Sequence, residues 1–205
     1  MFFLAESMVL KNTQKIYGKF EKCKEYAENN KKLIDKFSSE DKNIEITFRN
    51  FALNKDEKLL ANMQNDFFNY GELVTKEAVK ERFASDYTMK DLAFFLCVNN
   101  EPVGYGQIIK EDNINLIGGV GILSEYRGCG LGKLMMMYLI DKGIEFGMNS
   151  INLYVVFNNH IARTMYRNLG FKHRSFTILY DTLRIPYDKI DRLVRIFKRY
   201  VVRSK

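Results

Sequence analysis

From Ile114 to Phe146 the chain reads as an apolar strand up to Leu123, a glycine-rich turn, Arg127-Gly128-Cys129-Gly130-Leu131-Gly132-Lys133, and an apolar helix opening near Gly130. A helix entered this way leaves its first backbone N–H groups without intrahelical partners, and the helix dipole adds positive character there. Glycines let that backbone close on a ligand, so a phosphate is the group such a turn suits. Spacing excludes two common phosphate loops. A nucleotide-triphosphate loop needs glycine five residues before Gly132 and Ser or Thr after Lys133, where Arg127 and Leu134 stand. A dinucleotide fingerprint counted from Gly128 needs glycine at the sixth place, which is Lys133.

The rest of the chain surrounds this unit with alternating elements. Ile44–Phe48 alternates as a strand, and helices are expected over about 55–68 and 75–84, the second with Thr75 at its start. Leu92–Val98 and Val103–Ile109 flank the turn Asn99-Asn100-Glu101-Pro102 as a hairpin. After the glycine turn, Ile151–Val156 reads as a strand, Asn158–Asn168 as a short helix, and Phe171–Leu183 as strand-rich. The order predicts a mixed α/β domain over 44–182 with one dominant sheet. Upstream, residues 1–43 are expected to form a helical extension, because Val9, Ile16, Phe20, Cys23, Ala27, Ile34 and Phe37 follow a helical period, in one helix or two joined near Asn29-Asn30. Packing on the domain is preferred for it over a homodimeric coiled coil, which needs more clean heptads.

Charge and cysteines narrow the partners. The net charge of +7 is uneven: residues 1–43 carry +2, residues 44–182 carry −1 and residues 183–205 carry +6. A neutral central domain argues against nucleic acid as a partner. The last segment carries Tyr187, Ile190, Val194, Phe197 and Val201 on one face and Lys189, Arg192, Arg195, Lys198 and Arg199 on the other. Such a basic amphipathic C-terminal helix can lie on a membrane surface, but packing of its apolar stripe on the protein is preferred. No apolar run is long enough to span a bilayer, and the short opening Met1–Ala5 lacks the basic leader of a signal peptide. Cys23, Cys97 and Cys129 form no metal-ligand spacing, and only two histidines accompany them; a reducing cytoplasm and no metal are expected.

What the turn does match is R-x-x-G-x-G, as Arg127, Gly130 and Gly132, and here the sequence resembles the GNAT superfamily of acyl-CoA-dependent N-acyltransferases. Gly121–Arg127 is similar to the family's strand-end segment, with Ser124 where proline is frequent. Downstream, Asn159-x-x-Ala162-x-x-x-Tyr166-x-x-x-Gly170-Phe171 is similar to its second motif at every spaced position. The resemblance covers about 44–183. It implies a GNAT-like fold: a mixed, mostly antiparallel central sheet flanked by helices, here with helical N- and C-terminal extensions.

The resemblance further implies that backbone N–H groups from Gly128 to Lys133, through Cys129, Gly130, Leu131 and Gly132, bind the pyrophosphate of acetyl-CoA. Arg127 and Lys133 are the nearby cations. The strands ending near Leu123 and Tyr154 would splay to admit the pantetheine arm past Ile122 and Leu123, and Gly118, Gly119 and Gly121 suit a bulge there. Asn159 and Ala162 would line the cofactor, Asn159 orienting an amide or a water, or capping a helix, or both. Tyr166 is the expected acid for the leaving thiolate, against packing beneath Phe171. For the base, Ile114–Leu123 contains no carboxylate; Glu111 and Asp112 resemble turn residues, Tyr105, Tyr154 and His173 are candidates, and His160 reads as a surface residue. Cys129, at a helix start, is expected to have a lowered thiol pKa. The acceptor region, about 55–87, carries Asp56, Glu57, Asp66, Glu72, Glu77, Glu81 and Asp86 among Phe67, Phe68, Tyr70, Phe83 and Tyr87, which suits a cationic amine or a solvated helix face equally. The function expected is an N-acetyltransferase acting on a primary amine of a small molecule or peptide by direct attack. The alternative is a non-catalytic acyl-CoA-binding sensor or interaction module.

Overall fold

The computed structural model describes residues 2–11, 20–37, 43–68, 73–85, 88–111 and 113–180. They form β1 (Phe2–Lys11), α1 (Phe20–Glu28), α2 (Lys31–Phe37), β2 (Ile46–Asn50), α3 (Glu57–Phe67), α4 (Lys76–Ala84), β3 (Thr88–Val98), β4 (Glu101–Glu111), β5 (Ile114–Ile122), α5 (Leu131–Glu145), β6 (Ser150–Val156), α6 (His160–Asn168) and β7 (Lys172–Tyr180). The seven strands make one sheet in the order β2-β3-β4-β5-β6-β1-β7. Every neighbouring pair is antiparallel except β5 with β6.

Local chemistry accounts for most of these elements. Asn99 and Asn100 both take positive φ, 48° and 68°. That is the backbone of a two-residue hairpin turn, so β3 folds directly onto β4. Thr75 caps α4 by accepting from the Ala78 N–H at 3.1 Å, the ordinary work of a threonine at that place. β3 is apolar without a break from Leu92 to Val98 because both of its faces are covered. Leu92, Phe94, Leu96 and Val98 join the core beneath α5, whereas Ala93, Phe95 and Cys97 join a second core with Leu60, Val79 and Phe83 of α3 and α4. The sheet is therefore sandwiched, with α1, α5 and α6 on one face and α3 and α4 on the other. No helix among the described residues is long and apolar enough to cross a membrane.

The N-terminal segment departs from the expected helical extension. Residues 2–11 are a strand, and β1 sits inside the sheet, pairing with β6 from Ala5↔Val156 to Lys11↔Ser150 and with β7 from Phe2↔Tyr180 to Val9↔Lys172. Both partners lie well over a hundred residues away in sequence, so a local period cannot reveal them. The amphipathic pattern does produce helices from Phe20, broken at Asn29-Asn30, where the Asn30 side chain accepts from the Lys32 N–H. α1 packs inward on α5, its Phe20 ring 5.9 Å from Phe48 and 6.0 Å from Tyr138. The expected C-terminal helix, 183–205, lies outside the described residues, as do Tyr70, Glu72, Asp86 and Tyr87 of the acceptor region and Asp112.

β1 also carries a buried carboxylate. Glu6 is 1% exposed and accepts from Arg163 Nε at 2.6 Å and Arg167 Nη2 at 3.2 Å on α6, with His173 Nδ1 on β7 at 3.1 Å. Burial alone would raise its pKa, but the hydrogen bonds from Arg163, Arg167 and His173 outweigh that and hold it below the ordinary carboxylate value. A depressed folded pKa contributes stability that is present above the unfolded value, about 4.5, and lost as pH falls through the folded one. Replacing Glu6 by Gln is expected to lower unfolding free energy at pH 7 by about 2 kcal/mol, since it strands two guanidinium groups. Urea titrations of both proteins should show this gap shrinking below about pH 4.5; a gap independent of pH would rule out the charge network as its source.

Candidate active site

Only two residue pairs join β5 to β6, Leu116↔Asn152 and Ile117↔Leu153. Beyond them the parallel strands separate: Gly118–Ile122 stays with β4 and Tyr154–Val156 with β1. The parting coincides with an irregularity in β5, where the register against β4 shifts between Gly118 and Gly121 and Gly119 adopts φ 64°. A bulge of this kind bends a strand away from its neighbour. Because the two strands are parallel, their C-terminal ends and the N-termini of α5 and α6 all lie at this open end. A crevice of that kind, outside the carboxyl ends of diverging parallel strands, is where α/β sheets bind ligands.

The glycine turn forms one wall. Gly128 and Gly130 take φ 86° and 82°, and Gly130 caps α5. Among the described residues, no backbone N–H from Gly128 to Lys133 donates to a protein group; the first to do so is Leu134, to Gly130 O at 3.1 Å. Those six N–H groups fit the expected phosphate. Arg127 is anchored: Nε donates to Ile122 O at 2.9 Å and Nη2 lies 3.5 Å from Asp66 Oδ1. Asp66 in turn accepts from the Ser124 N–H at 2.8 Å and Ser124 Oγ at 2.9 Å. Proline at 124 could not make the first bond, which gives the departure from the family pattern a physical use. Leu123 donates its N–H to Val103 O, and Ile122 is buried. Leu131 is buried, while Gly132 faces Ile122 and Met165. Lys133 is exposed. For Cys129 the expected lowering of the thiol pKa is reversed. The side chain is fully buried, and desolvation outweighs Lys32 and Lys36 and raises it.

The other wall is α6. Asn159 Oδ1 accepts from the Ala162 N–H at 3.1 Å, so the capping role is realised. Tyr166 packs against the α5-side core, its ring 6.0 Å from Phe171, while its hydroxyl makes no hydrogen bond within the described residues. Burial pushes its pKa up to about 12. Two of the candidate bases, His173 and Tyr105, are engaged. His173 belongs to the Glu6 network on β7, two strands from the crevice; Tyr105 is fully buried, donating to Gln107; Tyr154 and His160 are exposed.

Three contacts had no sequence signal. Lys32 Nζ donates to Arg127 O at 2.6 Å, Lys36 pairs with Glu125 at 3.0 Å, and the Tyr26 ring lies 3.2 Å from where a Cβ on Gly130 would stand. The α1–α2 hairpin thus braces the glycine turn from outside, a contact between segments about a hundred residues apart.

Residues 58–171, more than half of the chain, match the model of the acetyltransferase (GNAT) family. The chain belongs to the GNAT family. Solved structures agree in fold. A GCN5-related N-acetyltransferase from Sphaerobacter thermophilus is 16% identical with a TM-score of 0.62, over 86% of this chain and 50% of that one. The ribosomal-protein-S18-alanine N-acetyltransferase of Escherichia coli is 18% identical with a TM-score of 0.54, over 64% and 80%. An aminoglycoside N-acetyltransferase in complex with coenzyme A is 12% identical with a TM-score of 0.55, over 69% and 97%. The chain spans about half the length of the Sphaerobacter protein, and no curated protein sequence matches it.

In this GNAT domain the turn depends on Gly130. Gly130→Ala places a side chain at φ 82°, against the Tyr26 ring. A left-handed backbone at a residue with a Cβ is expected to cost about 1 kcal/mol of stability. The substitution should also weaken coenzyme A binding, measured by calorimetry, because the N–H groups behind it move. Unchanged affinity would separate the turn from the cofactor.

Proposed function

We propose that the chain transfers an acetyl group from acetyl-CoA to a primary amine of a small molecule or peptide by direct attack, with no covalent enzyme intermediate. The observation that carries this reading is the pairing of two parted parallel strands with six N–H groups at the start of α5 that no described protein group engages. Acetyl-CoA supplies an acyl group already activated as a thioester. Backbone N–H groups from Gly128 to Lys133 would hold its pyrophosphate, the α5 dipole and the Lys133 and Arg127 charges adding attraction. Ile122, Leu123, Asn159 and Ala162 would line its path between β5 and β6.

The proton inventory sets the roles of the remaining groups. An alkyl ammonium with a pKa of about 10.4 must lose its proton before it can attack. Asp56, Glu57 and Asp66 of the α3 region already accept hydrogen bonds, and solvent is taken as the acceptor of that proton. Tyr166 keeps its own proton on Oη at neutral pH, because burial holds its pKa at about 12. Full transfer from such a phenol to a thiolate of pKa about 8.5 is uphill by roughly 5 kcal/mol. Tyr166 therefore acts best as a hydrogen-bond donor to the departing sulfur, and solvent completes the protonation.

Tyr166→Phe should lower kcat about 10- to 100-fold, the worth of one hydrogen bond to a charged group, while coenzyme A affinity stays nearly unchanged. In the wild type, log kcat/KM should rise with unit slope from about pH 6 to about pH 9 as free amine accumulates, with no fall from Tyr166 in that range. Thermal unfolding with acetyl-CoA, coenzyme A, ATP and NAD tests the cofactor, and thiol release over an amine panel tests the transfer. A shift with coenzyme A but no thiol release would favour the non-catalytic acyl-CoA sensor.

A further inference from the structure

The acidic sequence between β2 and β3 suggests a site for a cation, yet its described carboxylates are either engaged, as the buried Asp56 and Glu57 are, or exposed, and the charge left without a counter-ion among the described residues is a cation. Asp56 forms a fork with Arg49 at 2.7 and 3.1 Å, Glu57 accepts from the Asn54 N–H, and Asp66 accepts from Ser124. Glu77 and Glu81 lie on the exposed face of α4. Arg82, on the same helix, turns toward the sheet. Its Nη2 donates to Gln64 Oε1 at 2.8 Å, its buried Nε has no partner, and no carboxylate among the described residues pairs with it. Desolvation lowers its pKa, opposed only by Tyr105.

Gln64, 1% exposed, spends its carbonyl oxygen on Arg82, and its Nε2 is buried without a partner among the described residues. Beside it, Tyr105 Oη donates to Gln107 Oε1 at 2.7 Å. Gln64 Nε2 and Gln107 Nε2 stand 3.6 and 3.9 Å from where a Cβ on Gly119 would be, at the strand irregularity where β5 leaves β6. A buried guanidinium without an anion and orphaned donors are costly in a protein interior. Together they make a donor-rich, cationic cluster beside Gly119, where β5 leaves β6.

We propose that Arg82 and Gln64 bind a carboxylate on the acceptor, so that the substrate is a primary amine that also carries a carboxylate. This rests on the acetyl-transfer reading above, which brings the acyl group to the parting of β5 and β6. The buried cation on the α3–α4 side then selects an acceptor of opposite charge and repels polyamines.

Matched product pairs test it: N-acetylamino acids against their N-methylamides, titrated into the full chain saturated with coenzyme A and followed by thermal unfolding. The carboxylates are expected to bind at least about tenfold tighter than the methylamides, the scale of a charge-assisted hydrogen bond. Arg82→Gln should erase that preference, Arg82→Lys should retain part of it, and both should keep coenzyme A binding. If Arg82→Gln shows no cooperative transition, Gln64→Leu keeps the charge, removes one donor and should weaken the carboxylates alone. Equal binding of both members, no binding of either, or a preference that survives Arg82→Gln overturns the proposal. Absence of any shift with coenzyme A itself defeats the acetyl-transfer reading, and this inference falls with it.

Discussion

β5 and β6 share two backbone register pairs, Leu116 with Asn152 and Ile117 with Leu153, and are tied besides by the Asn115 and Asn152 side chains. Strands that part in the middle of a sheet leave polar backbone without ladder partners, a cost that a folded protein carries only where the exposed groups meet something else. The remaining architecture keeps that gap open and shaped. On the β5 side the strand continues against β4 as far as Gly104↔Ile122, and on the β6 side it continues against β1. The two helices that follow these strands, α5 and α6, begin at the same end. Their N-termini therefore face one region of space.

β1 is what holds the far half of the sheet together. It pairs with β6 and β7 at once, and its Glu6 reaches Arg163 and Arg167 on α6 and His173 on β7. α6 has no fully buried residue, so its position depends on its apolar edge, Ala162, Met165 and Tyr166, and on this charge network. Tyr166 is thus positioned by a carboxylate from the opposite end of the chain. On the near side the α1–α2 hairpin does the equivalent work for the glycine turn through Lys32 and Tyr26.

The two faces of the sheet differ in chemistry. Beneath α5 the core is aliphatic and methionine-rich, with Leu134, Met135, Met136 and Ile140 fully buried. Under α3 and α4 an aromatic core of Phe51, Phe83 and Phe95 borders a polar cluster of Gln64, Arg82, Tyr105 and Gln107. A buried polar cluster with unmade bonds is poor at stabilising a fold. It lies beside Gly119, where β5 leaves β6.

Much of this was legible in the residues. The hairpin followed from Asn99-Asn100, the cap of α4 from Thr75, the phosphate-type turn from three alternating glycines, and the family from two spaced motifs, because each of these signals is local and a single helix, turn or loop decides it. The strand nature of residues 2–11 was not legible, since β1 is decided by edges offered by β6 and β7, and a short apolar run fits helix and strand alike. Nor was the burial that raises the Cys129 thiol, the engagement of Asp66 and Arg127, or the lack of a partner for Arg82 Nε among the described residues, each decided by distant elements. The sequence alone determined the succession of elements from β2 onward and the glycine turn that opens α5. Only the tertiary structure decided which charges are paired and which are left bare, because pairing and desolvation depend on neighbours that only the folded sheet brings together.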